Sequence, residues 1–583
     1  MPRVQVDQAT LDDLRAKLSL DAYTAVDAAR MAAELEQAAV SDTRIVVTVY
    51  DKFYRPVGEC GDYISMGCKF PRNKVETGNL SIKRSDPLAN VILQCHETTV
   101  PITIEIGHLL WSGQVKTAHD NFNQPGMADF VECELEGDYA WLMKILAWPN
   151  FLLPLQVQFP PRGVAIGPAI SILKWLLATQ AFRIQAGMWE MVNNALSLNL
   201  DWRSWFGTVL QANPGSDGIG LDDIARTLRT PIYVVPTNPL TDTSPFISVN
   251  WRMDKIGSIF EEVVEDNGLH VEVKLWRPGD PQPGNDPLLA LFPLTVPTIV
   301  VDIKDRMGIV GPTGTFIDGI LRVAVDLQEG LFGDILAPFL NPKGEYAPDG
   351  WNIAPLLGIH YVPSWAVFNA DHPKGGVSGR MSHHRPEAWR VIVGGLSGNK
   401  PKSPKWLNDL INATMAFILD MVLIVVGITG VPSNLFDGLF NDVLLAFQLA
   451  DNFERRMKMG PYGHAEVFVP TNKAPYTIDG IFALKREMWN TRGYISGEVT
   501  FKNGLPYEIG RDIFPGSLAT LIRDGKVYTD WVENIAVVDT RDGRSEVVVQ
   551  IGDGKAEEAS VVKLQRKLSK LQEAFNIITM ATQ

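Results

Sequence analysis

The chain is predicted to be an α+β multidomain protein: two antiparallel β-barrel or sandwich domains, large helical insertions and a C-terminal helix. Three observations carry this. Short apolar runs broken by Gly, Asp and Asn recur near both ends of the chain, the pattern of antiparallel strands. A long stretch between them has helical spacing. A terminal apolar seam repeats at 3-4-3-4-3, as in a coiled coil.

With 583 residues, one core is too few and several domains are expected. A hydrophobic content of 46% with 21% charged residues is ordinary globular composition. The 38 prolines favour rigid turns and strand edges. The net charge of −14 argues against a general nucleic-acid binder, because phosphate contacts need clustered cations. It suits a surface that nucleic acid passes without sticking. Cys60, Cys68, Cys95 and Cys133 are too few and too irregular for a disulfide scaffold or zinc motif, so buried free thiols are expected. The first 17 residues have no apolar core of a secretory signal, and folding in a reducing cytoplasm is expected.

Residues 1–43 read as a helical arm, with Leu11, Leu14 and Leu18 as a narrow stripe that needs a partner. A first β domain is placed at 44–146, with strands at 45–50, 79–83, 101–106, 109–115 and 129–135. Residues 147–230 form a Trp-rich helical insertion with an apolar helix at 169–181. Trp141, Trp148, Trp175, Trp189, Trp202 and Trp205 form either its core or an interfacial belt at lipid.

Residues 231–306 are strand-rich around a helix at 253–266. Strands return at 491–555, where Asn503-Gly504 and Asp524-Gly525 are strong hairpin signals. These two segments are expected to pack together as a discontinuous second β domain. Residues 307–490 would be inserted between them, mostly as helix and loop. Within that insertion, 411–457 reads as an apolar helical hairpin broken at 430–434. Residues 556–583 close the chain as a coiled-coil-like helix, with Val561, Leu564, Leu568, Leu571, Phe575 and Ile578 as the oligomer seam.

No chemistry stands out. The glycine-rich stretches 311–315 and 394–400 lack the Lys-Ser/Thr ending of a phosphate loop, and Pro312 removes an amide donor. His360, Asp371, His372, His383 and His384 have no metal-ligand spacing. There is no G-x-S-x-G elbow. Acid pairs such as Glu261-Glu262 and Glu557-Glu558 sit where helix faces are solvated. No catalytic residue, metal or cofactor is assigned. Residues 411–431 are long enough to cross a bilayer core, although Asp420 near the centre would cost about 2.5–3.5 kcal/mol there. Phe417, Ile418, Val422, Leu423, Val425, Val426, Phe436 and Phe440 are the membrane-active candidates, with burial in a domain or subunit interface as the alternative.

Six stretches carry a family likeness: VYDKFYRPVGECGDYISMGCKFPRNK (49–74), WPNFLLPLQVQFP (148–160), TPIYVVPTNPLTDTSPF (230–246), VPTIVVDIKDRMGIVGPTGTFIDGI (296–320), WLNDLINATMAFILDMVLIVVGITGVPSNLFDGLF (406–440) and TRGYISGEVTFKNGLPYEIGRDIFPG (491–516). Over roughly 44–555 the chain resembles the minor tail proteins of long-tailed siphovirus phages of actinobacteria, mycobacteriophages among them. The resemblance implies a non-enzymatic virion protein of the tail tip, a baseplate hub assembled in the host cytoplasm. It implies two tube-like β-barrels per chain, so that a homotrimer makes a pseudo-sixfold ring around the channel for genome ejection. Expected partners are the distal tail protein, the tape-measure protein and other minor tail proteins. DNA would be transient cargo, and contact with the host membrane is possible through 411–457. The alternative function is a tail-associated cell-wall hydrolase.

Overall fold

The computed structural model describes residues 45–123, 128–210, 230–284, 289, 293–323, 325, 340–348, 351–372, 377–394, 447–470, 488, 491–501, 507–540 and 546–552. The arm 1–43, the apolar segment 411–431 and the seam 556–583 lie outside them, as do all six seam residues and all eight membrane candidates.

The first strands follow from period-two alternation. They are β1 (Ile45–Tyr50), β2 (Pro56–Glu59), β3 (Tyr63–Pro71) and β4 (Thr77–Lys83). Helix α1 (Pro87–Leu93) comes next, started by Pro87 and by Asp86, whose carboxylate accepts the Leu88 amide at 2.8 Å. Then come β5 (Pro101–Ile106), β6 (Leu109–Asn121) and β7 (Phe130–Gly137). The β5–β6 turn holds Gly107 at φ +56°, the left-handed conformation a two-residue hairpin demands. All seven strands pair antiparallel in the order β3-β4-β7-β6-β5-β1-β2. Their inward residues, among them Val47, Met66, Leu80, Ile102, Ile104, Trp111 and Val131, make the first core, and Leu88, Ala89 and Ile92 of α1 cover it.

A second body follows. It contains α2 (Ala140–Lys144), β8 (Leu146–Ala147), β9 (Gly163–Pro168), α3 (Ala169–Gln185) and α4 (Glu190–Leu196). After these come β10 (Ile232–Val234), β11 (Phe246–Trp251), β12 (Asp254–Lys255), α5 (Ile256–Asn267), β13 (Leu269–Trp276) and β14 (Thr298–Asp305). Strand β14 lies between β10, parallel to it, and β13, antiparallel, while β9 pairs β11 and β8 pairs β12. Leu173, Leu176 and Leu177 of α3 pack with Phe260 and Val264 of α5 and with Val271 and Val301 of this sheet.

The described part of 307–490, expected to be mostly helix and loop, is about one-third strand. It holds β15 (Ile309–Val310), β16 (His360–Tyr361), β17 (Ala366–Asn369), β18 (Val377–His384), β19 (Arg390–Gly394), β20 (Phe447–Asp451) and β21 (Glu466–Pro470). Of the amphipathic helix expected across 435–457, residues 435–446 lie outside the described residues and Phe447–Asp451 is strand. Arg390 holds Asp451 through two hydrogen bonds of 2.7 and 2.9 Å, and Asn452 caps a new helix α6 (Phe453–Met459) by accepting the Arg455 amide at 2.8 Å. Phe447 and Ala450 keep helical spacing with residues before them, yet the charge pair and the Asn cap decide the local structure.

The final strands are β22 (Tyr494–Phe501), β23 (Leu518–Arg523), β24 (Lys526–Thr540) and β25 (Glu546–Ile551). They do not pair with 231–306. The 15-residue β24 pairs β23 along its first part, then β25 and β3 along its second. The result is one large sheet running β18-β22-β25-β24-β3-β4-β7-β6-β5-β1-β2, with β23 and β17 branching from β24. The reason is register. Val537 lies opposite Cys68 and Ile535 opposite Phe70, and all four are buried, so this pairing keeps both apolar faces inside. The chain is therefore mostly β with few helices, and its large sheet is not closed into a barrel among the described residues.

The first and second bodies meet through Asn73, at φ +53° just past β3. Its side-chain amide donates to the Leu269 carbonyl and accepts from the Val271 amide, both at 2.9 Å and buried. Beside it, Arg72 is ion-paired with Glu533 at 2.7 Å and stacks over the Trp531 ring at 4.1 Å. Gly268 ends α5 at φ +62°, and a Cβ there would press on Trp531 and Met307 at 3.1 Å. Asn73→Ala leaves the Leu269 carbonyl and the Val271 amide buried without partners, and should cost about 2–6 kcal/mol at roughly 1–3 kcal/mol per orphaned group. Asn73→Asp retains the acceptor but turns a buried carboxylate onto the Leu269 carbonyl, and should cost at least as much as Ala. Denaturant unfolding of the full chain checks the order; an unchanged midpoint for Asn73→Ala would remove this joint from the account.

Candidate docking surface

The loops flagged as possible chemistry are closed by their own side chains. In 311–315, Asp318 accepts the Thr313 amide at 3.0 Å, the Gly314 amide at 2.7 Å and the Thr313 hydroxyl at 2.7 Å. The amides a phosphate would need are already taken. Of the stretch 394–400 only Gly394, the last residue of β19, is described. The histidines are scattered. His360 meets Glu345 at 2.9 Å, His384 stacks on Tyr494 at 4.2 Å, and Asp371 caps the β23–β24 turn by accepting the Asp524 and Gly525 amides. Among the described residues, no three His, Cys, Asp or Glu side chains converge as metal ligands. All four cysteines are free, with Cys60, Cys68 and Cys133 buried and Cys95 half-buried.

One acid pair was invisible in the sequence. Glu76, between β3 and β4, turns its carboxylate against Gly137 and accepts the Tyr139 amide at 3.2 Å. Asp138 accepts the Ser112 hydroxyl at 2.5 Å. Burial, reinforced by the Asp138 charge, pushes Glu76 up to about 8. Burial pushes Asp138 up to about 6, against the Ser112 hydrogen bond. Raised carboxylates often mark catalytic centres. Here Glu76 is half-buried and Asp138 only 6% exposed, and each is held by a hydrogen bond at the join between β7 and α2.

What does face outward is apolar. Among the described residues, 16 of the 37 exposed large apolar side chains fall within 141–206. The six tryptophans of this region therefore do not form one core. Trp148 is buried, Trp189 and Trp205 are half-buried, and Trp141, Trp175 and Trp202 are exposed. Their polar handles are used internally: the Trp189 indole donates to the Phe151 carbonyl and the Trp205 indole to the Asn199 carbonyl. The segments are tied into one surface. The Leu155 amide donates to the Asn193 side chain of α4, and the Asn194 side chain donates to the Ser204 carbonyl. Helix α3 is apolar on both sides. It buries Leu173, Leu176 and Leu177 inward and presents Trp175 and Phe182 outward. Such a helix is normally covered all round. Its inner face is legible as a core helix in the sequence; the need for an outer cover could have been read from the absence of any polar stripe. Among the described residues, no helix is long and apolar enough to cross a membrane.

Residues 46–553 match the model of a family described as Siphovirus ReqiPepy6 Gp37-like protein. Two relatives are each named "Minor tail protein Gp28". The one from Mycobacterium phage L5 is 24% identical, over 59% of this chain and 57% of its own length. The one from Mycobacterium phage D29 is 22% identical, over 75% of this chain and 77% of its own. The chain thus spans little more than half of the L5 protein. Among solved structures, the prophage MuSo2 43 kDa tail protein from Shewanella oneidensis aligns over 88% of this chain and 99% of its own length, with 8% identity and a TM-score of 0.37.

The acid pair sets a pH dependence with a definite sign. Both carboxyls hold their protons more tightly folded than unfolded. Their stabilising contribution is complete below about pH 4 and is lost as pH rises toward 8. Glu76→Gln keeps an acceptor for the Tyr139 amide and removes this loss. The variant should unfold at least about 2 °C above the parent at pH 8 and alongside it at pH 4. Differential scanning fluorimetry across that range decides it, and equal midpoints at pH 8 would contradict the assigned shift.

Proposed function

Because the chain belongs to the Siphovirus ReqiPepy6 Gp37-like family, it is a phage minor tail protein of the virion, and we propose that it forms the trimeric hub of the tail tip. Three copies surround the axis, close the tail tube and provide the channel through which the genome leaves. Each copy contributes two β modules to the ring. The large sheet supplies one, and the sheets built on residues 146–305 supply the other.

The observation that carries this reading is the extent of the family match, which takes in every β module of the chain. Two features support it. Among the described strands the large sheet ends in two unlike edges, β18 and β2, and a sheet edge is where strands of a neighbour can pair. The charge of −14 suits a lumen that repels passing DNA. The distal tail, tape-measure and other minor tail proteins are the proposed neighbours, and the seam 561–578 is proposed to meet its copies on the threefold axis.

The apolar segment 411–431 keeps its proposed membrane role. Strands β19 and β20 are antiparallel with Gly394 opposite Phe447, so the connection across 395–446 starts and ends at one end of one ladder. Among the described residues, the acid pair Glu76 and Asp138 lies at the join of β7 and α2 with Asp138 buried, which favours the structural reading over the hydrolase alternative.

Imaging the isolated tail tip at subunit resolution tests the hub. Three copies around an open or plugged axial pore are expected, and a single peripheral copy would sink the proposal. A zymogram on mycolate-type cell walls should stay blank; a cleared band would make the chain an enzyme instead.

A further inference from the structure

We propose that the apolar face formed by 146–206 is the surface on which a second copy of this chain docks, in head-to-tail contact around the ring. The inference rests on the ring reading above and adds which surface closes it.

The first support is area. The exposed apolar side chains of this region together present on the order of 1,000 Å², at roughly 150–250 Å² for a fully accessible aromatic scaled by their exposures. The largest patch on an ordinary monomer is about 300–600 Å², and one partner in a standard interface gives about 800 Å². This face is large enough for a stable protein contact.

The second is exposure. Leu155, Val157 and Phe159, before β9, and Leu198, Leu200 and Trp202, after α4, are all exposed, Leu198 and Leu200 at 83% and 96%. The Leu155 amide donates to the Asn193 side chain of α4, which ties the two segments together.

The third is charge. Only six of the 61 residues in 146–206 are charged, and none adds a free cationic cluster. Lys174 and Arg183 are buried, with Lys174 paired to Asp302. Asp201 and Arg203 bind each other, and Glu190 accepts the Thr208 hydroxyl and amide. Charge depletion with Trp, Phe, Met and Leu enrichment is the signature of an interface core. An anionic bilayer would need a basic rim to attract a chain of this net charge, and among the described residues of 146–206 the exposed cations are Arg162 and Arg203, the latter bound to Asp201. Contact is head-to-tail because a ring of three is closed by one heterologous interface repeated.

Leu200→Asp and Trp202→Asp together test it, because neither side chain is buried in the subunit. Analytical ultracentrifugation of the full chain should show the parent associating and the double variant at least about 100-fold weaker, in the range of losing interface hot spots. Tyr462→Asp, at a residue 99% exposed and elsewhere on the surface, should associate as the parent does, and circular dichroism should report the same fold for all three. If the double variant associates as tightly as the parent, the docking inference falls while the hub survives. If the parent itself stays monomeric, the ring falls and takes the inference with it. Flotation with phosphatidylglycerol vesicles that captures the parent but not the double variant would assign the face to lipid. A double variant that associates normally but melts lower would assign it to residues 211–229 of the same chain. Either result overturns the proposal.

Discussion

The ladder between β3 and β24 is the constraint on which the rest of the molecule depends. Ser65 through Pro71 pair with Asn534 through Thr540, bringing opposite ends of the described chain into one sheet. Everything from Asn73 to Trp531 must therefore leave that ladder and return to it. The first core includes residues from both sides, Leu80 and Ile102 from one and Val499, Ile535 and Val549 from the other, so neither end completes a core alone. Pairing at such separation carries a large loop-closure cost and makes folding slow relative to a local hairpin. The ladder is held by burial of one face in a fixed register, Cys68 and Phe70 against Val537 and Ile535, rather than by any single strong bond.

That ladder also explains what was legible in the sequence. The alternating runs at β1, β4, β5, β6 and β7 could be read because each shows its period locally, and the Asp524-Gly525 turn could be read because both residues sit at positive φ. Strand β3 was missed: its period runs through Met66, Cys68 and Phe70, with Ser65, Gly67 and Lys69 between, and a cysteine and a glycine blur it. The full extent of strand β24 was not legible either. The shift in register between Val532 and Asn534 interrupts the pattern just where pairing with β3 begins. Each gap hid one half of the same ladder, so the pairing of the final strands with β3 could not be read. Burial of the Glu76 and Asp138 carboxylates was equally out of reach, since it comes from packing between β4, β7 and α2 and leaves no motif.

The polar interior shows a common design. Asn73, Arg72, Glu533 and Asp138 all sit at the boundary between the two bodies, each with a partner from another element. Buried polar groups add little net stability over apolar packing, yet they penalise every misaligned arrangement, because any shift would leave a donor or acceptor unpaired. Their value is orientation. A part that must stack in register with neighbours in a virion needs its bodies held at one angle more than it needs extra free energy of folding.

The apolar face gains its meaning from that rigidity. Helix α3 carries the outward stripe of Trp175 and Phe182 while its inner face is locked to the second core, and Lys174 fastens it to Asp302 and Thr237. The second core is in turn fixed to the large sheet through Asn73 and through the Arg277–Glu105 ion pair between β13 and β5. Position is therefore passed without a hinge from the ladder, through the polar joint, to the exposed helix. A flexible apolar loop would lose much of its contact energy to ordering on binding. An apolar helix held this way has met that entropy cost during folding, so most of the area it covers on docking can appear as affinity. The absence of a polar stripe on α3 is then the same feature twice over: it makes the subunit carry an exposed apolar surface, and under the docking proposal it would make the packing continuous from core to neighbour.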